Sequence, residues 1–165
     1  MDDQQVRETL AAMVTDLDPD AEYEQRHEDF VAEMPQSRER IRGRDDMRAL
    51  QRAFPPDRAP TFRVRRITGG GDVWTVEAVG DYGGEIYLVV VIVEFRDGKI
   101  LRETRYYPQP FEAPEWRAQW VERMDDAALP ESSTPSWCLH RASAFPWRLL
   151  HKGALSGAVK VVAGD

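Results

Sequence analysis

One short stretch of this sequence restricts the fold more than any other. Residues 88–93 read Leu-Val-Val-Val-Ile-Val, so every side chain in the run is apolar. An antiparallel strand with one face in water alternates apolar and polar residues, whereas a continuous apolar run indicates a strand covered on both faces. Helices can cover one of these faces. A second copy of the chain, packed sheet against sheet, can cover the other, and C-terminal residues folded over that face are the alternative.

The apolar run lies in the third of four predicted strands that follow one another along the chain. Glycine-rich or Asp-Gly turns separate these strands, and such turns join antiparallel neighbours into hairpins. The strands are therefore predicted to form a β-meander. Their predicted bounds are residues 61–68, 73–82, 85–96 and 99–107.

Helical patterns dominate the sequence before the strands. The predicted elements there are, in chain order, a helix over residues 3–17, a short helix over 20–27, a strand over 29–34, a loop over 36–42 and a helix over 44–54. Asp18 is the expected N-cap of the short helix. A further helix is predicted over residues 114–125, with Trp116, Trp120 and Met124 on one stripe. Helices followed by a run of antiparallel strands are typical of an α+β fold.

Charge and composition exclude several classes of protein. The chain has 165 residues and a net charge of −7, whereas nucleic-acid binding requires clustered Lys and Arg. No apolar run approaches the roughly 18 residues that a membrane helix needs. The acidic, polar N-terminus does not resemble a secretory signal, so we expect a cytoplasmic protein. The single cysteine, Cys138, excludes an internal disulfide and a cysteine-rich metal site.

The chain is predicted to divide into a body and a tail. Residues 1–128 hold all the predicted helices and strands, and we expect them to form one α+β domain. Residues 129–165 begin with a stretch rich in Pro and Ser and have weak periodicity. We therefore expect them to form a poorly ordered C-terminal extension.

Three short motifs accompany this order of elements. They are Glu-Met-Pro at 33–35, Ile-Arg-Gly at 41–43 and Phe-Arg-Asp-Gly-Lys-Ile at 95–100. With them, residues 3–125 resemble the nuclear transport factor 2-like superfamily, and within it the SnoaL-like polyketide-cyclase domains. The resemblance implies a cone-shaped, curved antiparallel sheet wrapped against N-terminal helices, with a pocket at its open end. Members include ketosteroid isomerases, limonene epoxide hydrolases, polyketide cyclases and non-catalytic binding domains, so the fold does not give the function.

The catalytic positions of these relatives are not matched here. The resemblance puts the two acids and the tyrosine of ketosteroid isomerases at Met34, Val91 and Leu10, which carry neither a carboxylate nor a hydroxyl. The carboxylate that polyketide cyclases carry near the end of the last strand is also missing. The epoxide hydrolase pattern needs two acids and an arginine around a water molecule. One strand face offers a Glu and an Arg, but no second acid is identified.

The last predicted strand supplies the candidate catalytic residues. Side chains alternate between the two faces of a strand, so Leu101, Glu103, Arg105 and Tyr107 share one face. The resemblance identifies this face as the one that lines the pocket. A buried Glu103 can act as a general acid or base, Arg105 can orient a substrate anion, and Tyr107 can donate a hydrogen bond. The alternative is a structural ion pair between Glu103 and Arg105.

The resemblance also implies a largely apolar pocket for a small hydrophobic molecule, with neither a metal nor another cofactor. The predicted lining residues are Phe30, Met34, Met47, Leu50, Trp74, Val76, Tyr87, Val89, Val91 and Leu101. Two hypotheses stay open. The chain is either a cofactor-free cyclase, isomerase or hydrolase, or a non-catalytic ligand-binding or dimeric assembly module. In both cases we expect a homodimer paired through the sheet, without nucleic-acid or membrane partners.

Overall fold

The computed structural model of the protein describes residues 2–124, so the extension predicted over residues 129–165 lies outside the described residues. The helices in this range are α1 (Asp3–Asp16), α2 (Pro19–Gln25) and α3 (Arg44–Ala53). The strands are β1 (Arg26–Met34), β2 (Glu39–Arg42), β3 (Thr61–Gly70), β4 (Val73–Asp81), β5 (Ile86–Arg96) and β6 (Lys99–Tyr106). Two short 3-10 helices cover Pro56–Arg58 and Glu115–Trp120. None of the described helices is long and apolar enough to cross a membrane.

The six described strands form one sheet in the order β2–β1–β6–β5–β4–β3. Strands β3 to β6 make the predicted meander of antiparallel hairpins, and β1 pairs in parallel with the free side of β6. Irregularities interrupt the register between β1 and β6, between β3 and β4, and between β5 and β6. A bulge bends its strand and increases the local twist. The sheet therefore curves around the helices without closing, and the predicted α+β cone is confirmed.

Helix α1 fills one part of the concave face and leaves room in another. Val6 and Leu10, in its first half, are buried in one core cluster with Phe30 of β1 and Trp74 of β4. Burial of such large apolar side chains is the main favourable contribution to folding. The second half of α1 instead borders a cavity, which Met13, Val14 and the C-cap residue Leu17 line.

Two aspartates determine where the first helices begin. Asp2 accepts a hydrogen bond from the backbone N–H of Gln5, and the Gln5 side chain accepts one from the backbone of Asp2. Asp18 accepts from the N–H groups of Asp20 and Ala21 at 2.9 and 3.3 Å. This is the bonding of an N-cap residue, and the prediction for Asp18 is confirmed.

Part of the predicted loop over residues 36–42 is a strand. Strand β2 pairs with β1 at the edge of the sheet, and Arg40 there donates a 2.8 Å hydrogen bond to Glu33. Ile41 is its one residue that packs against the core. A four-residue edge strand with one apolar residue has too little alternation to be recognised in a sequence, so its polar composition indicated a loop.

The helix predicted over residues 114–125 is wrong. Residues Glu115–Trp120 form a short 3-10 helix instead, and the backbone is extended again at Val121. Trp116 and Trp120, which suggested a packed stripe, are both exposed. A helix of this length is unstable in water unless one face packs against the protein, and here that contact is missing.

Candidate functional site

A cavity of about 90 Å³ lies between the helices and the concave face of the sheet. It is smaller than the roughly 150 Å³ apolar cavity that can hold benzene, so it encloses only a few atoms of a ligand. Its apolar lining residues are Leu10, Met13, Val14, Leu17, Phe62, Val76, Val89, Val91, Val93 and Ile100. Its polar lining residues are Glu22, Gln51, Glu103, Arg105 and Tyr107.

The structure brings some of the predicted site residues together and separates the others from them. Those at the cavity are Glu103, Arg105, Tyr107, Val76, Val89 and Val91. The remaining predicted lining residues lie elsewhere: Phe30, Met47 and Trp74 in the buried core, Leu50 against that core, and Met34 and Tyr87 at other buried positions. Val6 and Leu10 of α1 are buried in the same core cluster as Phe30, Met47 and Trp74.

Leu101 is displaced from the predicted face by an irregularity in β6. Glu94 of β5 pairs with Arg102, but the next residue, Phe95, pairs with Ile100. Leu101 is therefore an extra residue on β6, and the alternation of faces shifts by one position. As a result Ile100, and not Leu101, lines the cavity beside Glu103.

Glu103 lies at the cavity as a buried carboxylate between two guanidiniums. The Nε of Arg105 donates to its Oε2 at 2.6 Å, and the Nε of Arg26 lies 3.7 Å from its Oε1. Burial by itself raises the pKa of Glu103, but the charges of Arg105 and Arg26 outweigh burial and hold that pKa below its ordinary value. Glu103 is therefore the carboxyl group of the cavity that ionises easily.

Glu22 is a second buried acid at the cavity, and the sequence analysis missed it. Its Oε2 accepts from Arg26, one turn later on the chain, and from Nε2 of Gln51 at 2.7 Å. Burial raises the pKa of Glu22 more than the neighbouring charge of Arg26 lowers it. In the sequence, Glu22 and Arg26 have the i, i+4 spacing of an ordinary surface ion pair, so no signal marked them as buried.

Arg26 connects the two acids. It has no solvent exposure, and it donates to Glu22 and, at 2.9 Å, to Oε1 of Gln51. Its guanidinium also lies 5.0 Å from the ring centre of Phe30. A buried arginine needs such partners because an unpaired buried charge is costly. The result is an acid–arginine–acid cluster: Glu22, Arg26 and Glu103.

Each member of this cluster keeps one polar atom without a hydrogen-bond partner. These atoms are Oε1 of Glu22, Nε of Arg26 and Oε1 of Glu103, and among the described residues Glu39 alone offers another such buried side-chain atom. Buried polar atoms in native proteins nearly always have partners, so a group of unsatisfied ones marks a place where a ligand or water can bind. Two of these atoms belong to residues that line the cavity.

Aromatic side chains stack beside the cavity. The rings of Phe62 and Tyr87 each contact Tyr82 edge to face, with ring centres 5.9 and 5.1 Å from it. Burial raises the pKa of Tyr87 to about 12 and raises the pKa of Tyr82 as well. Both phenols therefore keep their protons at neutral pH. Neither phenol lines the cavity, and neither can act as a base at neutral pH.

Comparison with known proteins then identifies the family. Residues 6–103 match the SnoaL-like domain, which is more than half of the chain and includes the whole acid–arginine–acid cluster. The chain belongs to the SnoaL-like family. A search of curated proteins finds no match to it.

Solved structures similar to this SnoaL-like protein come from several bacteria. An NTF-2 like protein of unknown function from Burkholderia xenovorans LB400 is 41% identical, with a TM-score of 0.67 over 76% of this chain and 99% of that chain. A candidate ketosteroid isomerase from Kribbella flavida is 30% identical, with a TM-score of 0.65 over 74% of this chain and 91% of that chain. An epoxide hydrolase from M. tuberculosis is 21% identical, with a TM-score of 0.53 over 63% and 80%, and shares the fold alone.

The cavity of this SnoaL-like protein is thus lined by an acidic residue from α2 as well as by one from β6. No cluster of potential metal ligands occurs among residues 2–124. What the cavity does hold is one carboxyl group with a raised pKa and one with a lowered pKa. Two acids whose environments shift their pKa values apart can divide the roles of proton donor and proton acceptor. Glu22 is thus a second buried acid at the cavity, beside Glu103.

Proposed function

We propose that this chain is a cofactor-free hydrolase that adds water to a small hydrophobic molecule. The observation that carries the proposal is the pair of carboxyl groups, Glu22 and Glu103, which line one cavity and have opposite pKa shifts. Glu22 keeps its proton to higher pH and acts as the general acid. Glu103 stays ionised to lower pH and acts as the general base.

With a strained epoxide as substrate, the step balances as follows. A water molecule at Oε1 of Glu103 gives a proton to that carboxylate, and its oxygen forms a bond to an epoxide carbon. The bond from this carbon to the ring oxygen breaks, and the ring oxygen takes the proton of Glu22. The product is a diol. The proton on Glu103 then returns to Glu22 through water, which restores both groups.

The other polar residues have positioning roles in this proposal. Arg105 bonds to Glu103 through Nε and Nη2, so its guanidinium holds the base instead of a substrate anion. Gln51 bonds to both Glu22 and Arg26, which fixes the acid with Oε1 as its free oxygen. Tyr107 lines the cavity and supplies a hydrogen bond to the substrate.

Small epoxides in ¹⁸O-labelled water test the proposal. We would incubate the full chain with 1,2-epoxypropane, 1,2-epoxybutane and cis-2,3-epoxybutane, which are small enough for the cavity, and measure labelled diols by mass spectrometry. We expect Glu22→Gln to lower kcat/KM at least about 100-fold, the usual contribution of a general acid. The matched control is Glu24→Gln, since Glu24 is an exposed residue on the same helix and does not line the cavity.

The pH dependence separates the two acids. Because Glu22 must carry a proton, the rate should fall as pH rises through its raised pKa. Because Glu103 must be ionised, the rate should also fall as pH drops through its lowered pKa. In Glu22→Gln the decline on the alkaline side should disappear. An equal loss of rate in Glu24→Gln would contradict the assigned roles.

A non-catalytic binding protein is the second candidate function. The observation in its favour is that Glu103 is already paired with Arg105, as a purely structural ion pair would be. This candidate predicts that the epoxides bind without being converted. Binding of the three probes by calorimetry, with no labelled diol from the unmodified chain, would favour it over the hydrolase.

We also propose that two copies pair through the convex face of the sheet. Along β5, Val89, Val91 and Val93 line the cavity, so the alternating residues Leu88, Val90 and Ile92 lie on the opposite face. We call this convex side of β4, β5 and β6 the outer face. These three residues are half-buried and apolar, and the same three residues of a second copy form an apolar strip that fits them.

A further inference from the structure

The segment that follows β6 carries five of the six most exposed large apolar side chains among the described residues. We call residues 108–124 the aromatic arm. Among the described residues, the large apolar side chains that are more than half exposed are Val73 and five on the arm: Phe111, Trp116, Trp120, Val121 and Met124. Phe111, Trp116 and Trp120 are 79%, 73% and 71% exposed. Exposed apolar surface on this scale in one segment marks an interaction site.

The arm begins at one end of the outer face. The backbone N–H of Leu88 donates to the carbonyl of Pro108 at 2.8 Å, which holds the base of the arm against β5. Two more prolines, Pro110 and Pro114, follow it. Proline fixes φ and restricts the chain to extended shapes, so the arm loses less entropy when it docks than a flexible segment would.

We infer that the aromatic arm of one copy docks on the outer face of a second copy, and that its three aromatic rings pack beside the β5 residues that the two sheets already cover between them. This inference rests on the proposed pairing of two copies through the sheet and names the segment that secures it. A two-fold axis makes the contact reciprocal, so each copy gives one arm and receives one.

The available area suits a stable pair. Phe and Trp side chains bury about 150–250 Å² each, so the three rings at their observed exposure present on the order of 400 Å² per copy. Two arms, each covering a similar area of the partner, remove about 1,600 Å² from water, which is the size of a standard stable interface. Twelve residues lie between Pro108 and Val121, and six of them, Glu115–Trp120, form a 3-10 helix. With a rise of about 2 Å per residue in that helix and about 3.4 Å elsewhere, the arm reaches up to about 35 Å.

Sedimentation of the full chain tests the inference. We expect the unmodified protein to sediment as a dimer and the triple variant Phe111→Ser/Trp116→Ser/Trp120→Ser to sediment as a monomer, with at least a 100-fold weaker dissociation constant. The matched control is Gln119→Ser, an exposed polar residue between the two tryptophans, which should remain dimeric. Because the three replaced rings are exposed, the triple variant should keep the circular dichroism spectrum of the unmodified chain, and its Tm should fall only by the stabilisation that dimerisation supplies.

Cross-linking identifies which surfaces meet. In a Cys138→Ser background, one batch carries Gln119→Cys on the arm and another carries Thr104→Cys on the outer face. Each chain then has one cysteine, so a bismaleimide can join an arm to an outer face only between two copies. We expect the mixed batches to give a covalent heterodimer, recognised by its mass.

The outcomes separate the arm from the sheet pairing. A dimer that survives the triple substitution, or a dimer without arm-to-face cross-links, would overturn the inference and leave the sheet pairing in place. A monomeric unmodified chain would overturn both. The epoxide assay is independent of these results, because the residues of the acid–arginine–acid cluster are not on the arm.

Discussion

At the scale of single residues, the unusual feature is a fully buried arginine held between two acids. Arg26 has no exposed surface, and its ion pairs with Glu22 and Glu103 are buried with it. Buried ion pairs contribute little net stability compared with apolar packing, but removing one partner is strongly destabilising because it leaves an uncompensated charge. The cluster is therefore better explained by what it does at the cavity than by what it adds to stability.

The variant Glu103→Gln tests how strongly Arg26 and Arg105 depend on Glu103. We expect the free energy of unfolding at neutral pH to fall by about 3 kcal/mol or more, since two buried guanidiniums lose their shared carboxylate. Because the pKa of Glu103 is lowered in the folded protein, this stabilisation is present above the unfolded pKa and is lost as pH falls through the folded one. Urea unfolding at several pH values measures both effects.

A matched variant makes the comparison specific. Glu94 on the neighbouring strand pairs with Arg102 at 3.8 Å, but both side chains are 44% exposed. Exposed pairs contribute at most about 1 kcal/mol, so Glu94→Gln should cost far less than Glu103→Gln. An equal loss of unfolding free energy in the two variants would show that burial does not make the Glu103 ion pair contribute more than an exposed one.

The sequence predicted one member of this cluster, Glu103, together with its neighbour Arg105. Glu103 and Arg105 lie two residues apart on a strand, and strand alternation was enough to put them on one face. Glu22 was out of reach because its burial depends on Gln51 of α3 and on Arg26, and nothing local distinguishes a buried i, i+4 pair from an exposed one. Contacts between elements that are distant in the sequence determine which acidic side chains are buried and have shifted pKa values.

At the scale of secondary structure, elements with strong local signals were predictable and those that depend on neighbours were not. The turn residues were enough to predict the meander, and Asp18 was enough to predict where α2 begins. The short edge strand β2 and the segment after β6 both depend on packing, and both predictions for them were wrong. One irregularity in β6 was also enough to exchange Leu101 for Ile100 at the cavity, because the extra residue shifts the alternation of faces for the residues before it and leaves Glu103, Arg105 and Tyr107 on the predicted face.

Gly80 of β4 gives a test of packing beside the cavity. A Cβ at this position would lie 2.7 Å from the ring of Phe62 and 3.2 Å from that of Tyr82. We expect Gly80→Ala to push Phe62, which lines the cavity, out of place and to cost about 1–3 kcal/mol in unfolding experiments. The control is Gly70→Ala, where a Cβ meets nothing within 4 Å. A loss in Gly70→Ala as large as in Gly80→Ala would contradict this account.

At the scale of the whole molecule, the sheet separates two kinds of surface. Its concave side holds the core and the cavity, and its convex side offers Leu88, Val90 and Ile92 of β5 to a partner. The sequence predicted that residues 88–93 form a strand covered on both faces. Within a single chain, the helices and the cavity cover the face of Val89, Val91 and Val93. The other side is the subject of the dimer proposal.

Val90→Lys tests that proposal at the centre of the outer face. A lysine there would bury an unpaired ammonium group between two copies, so we expect sedimentation to show a monomer with a native circular dichroism spectrum. Val73→Lys is the control, because Val73 is 53% exposed at the turn between β3 and β4, away from the centre. A dimeric Val90→Lys protein would place the contact between copies elsewhere.

The parallel pairing of β1 with β6 also has a consequence for folding. Glu22 and Arg26 come from the start of the chain, while Glu103 comes from its last strand, and β1 meets β6 across more than 70 residues. Contacts between such distant segments form slowly, since a long loop must close first. On the ribosome, most of the domain has to emerge before Arg26 gains its second carboxylate. The cavity is therefore among the last parts of this protein to exist, and any stall in synthesis before β6 leaves a chain with no site.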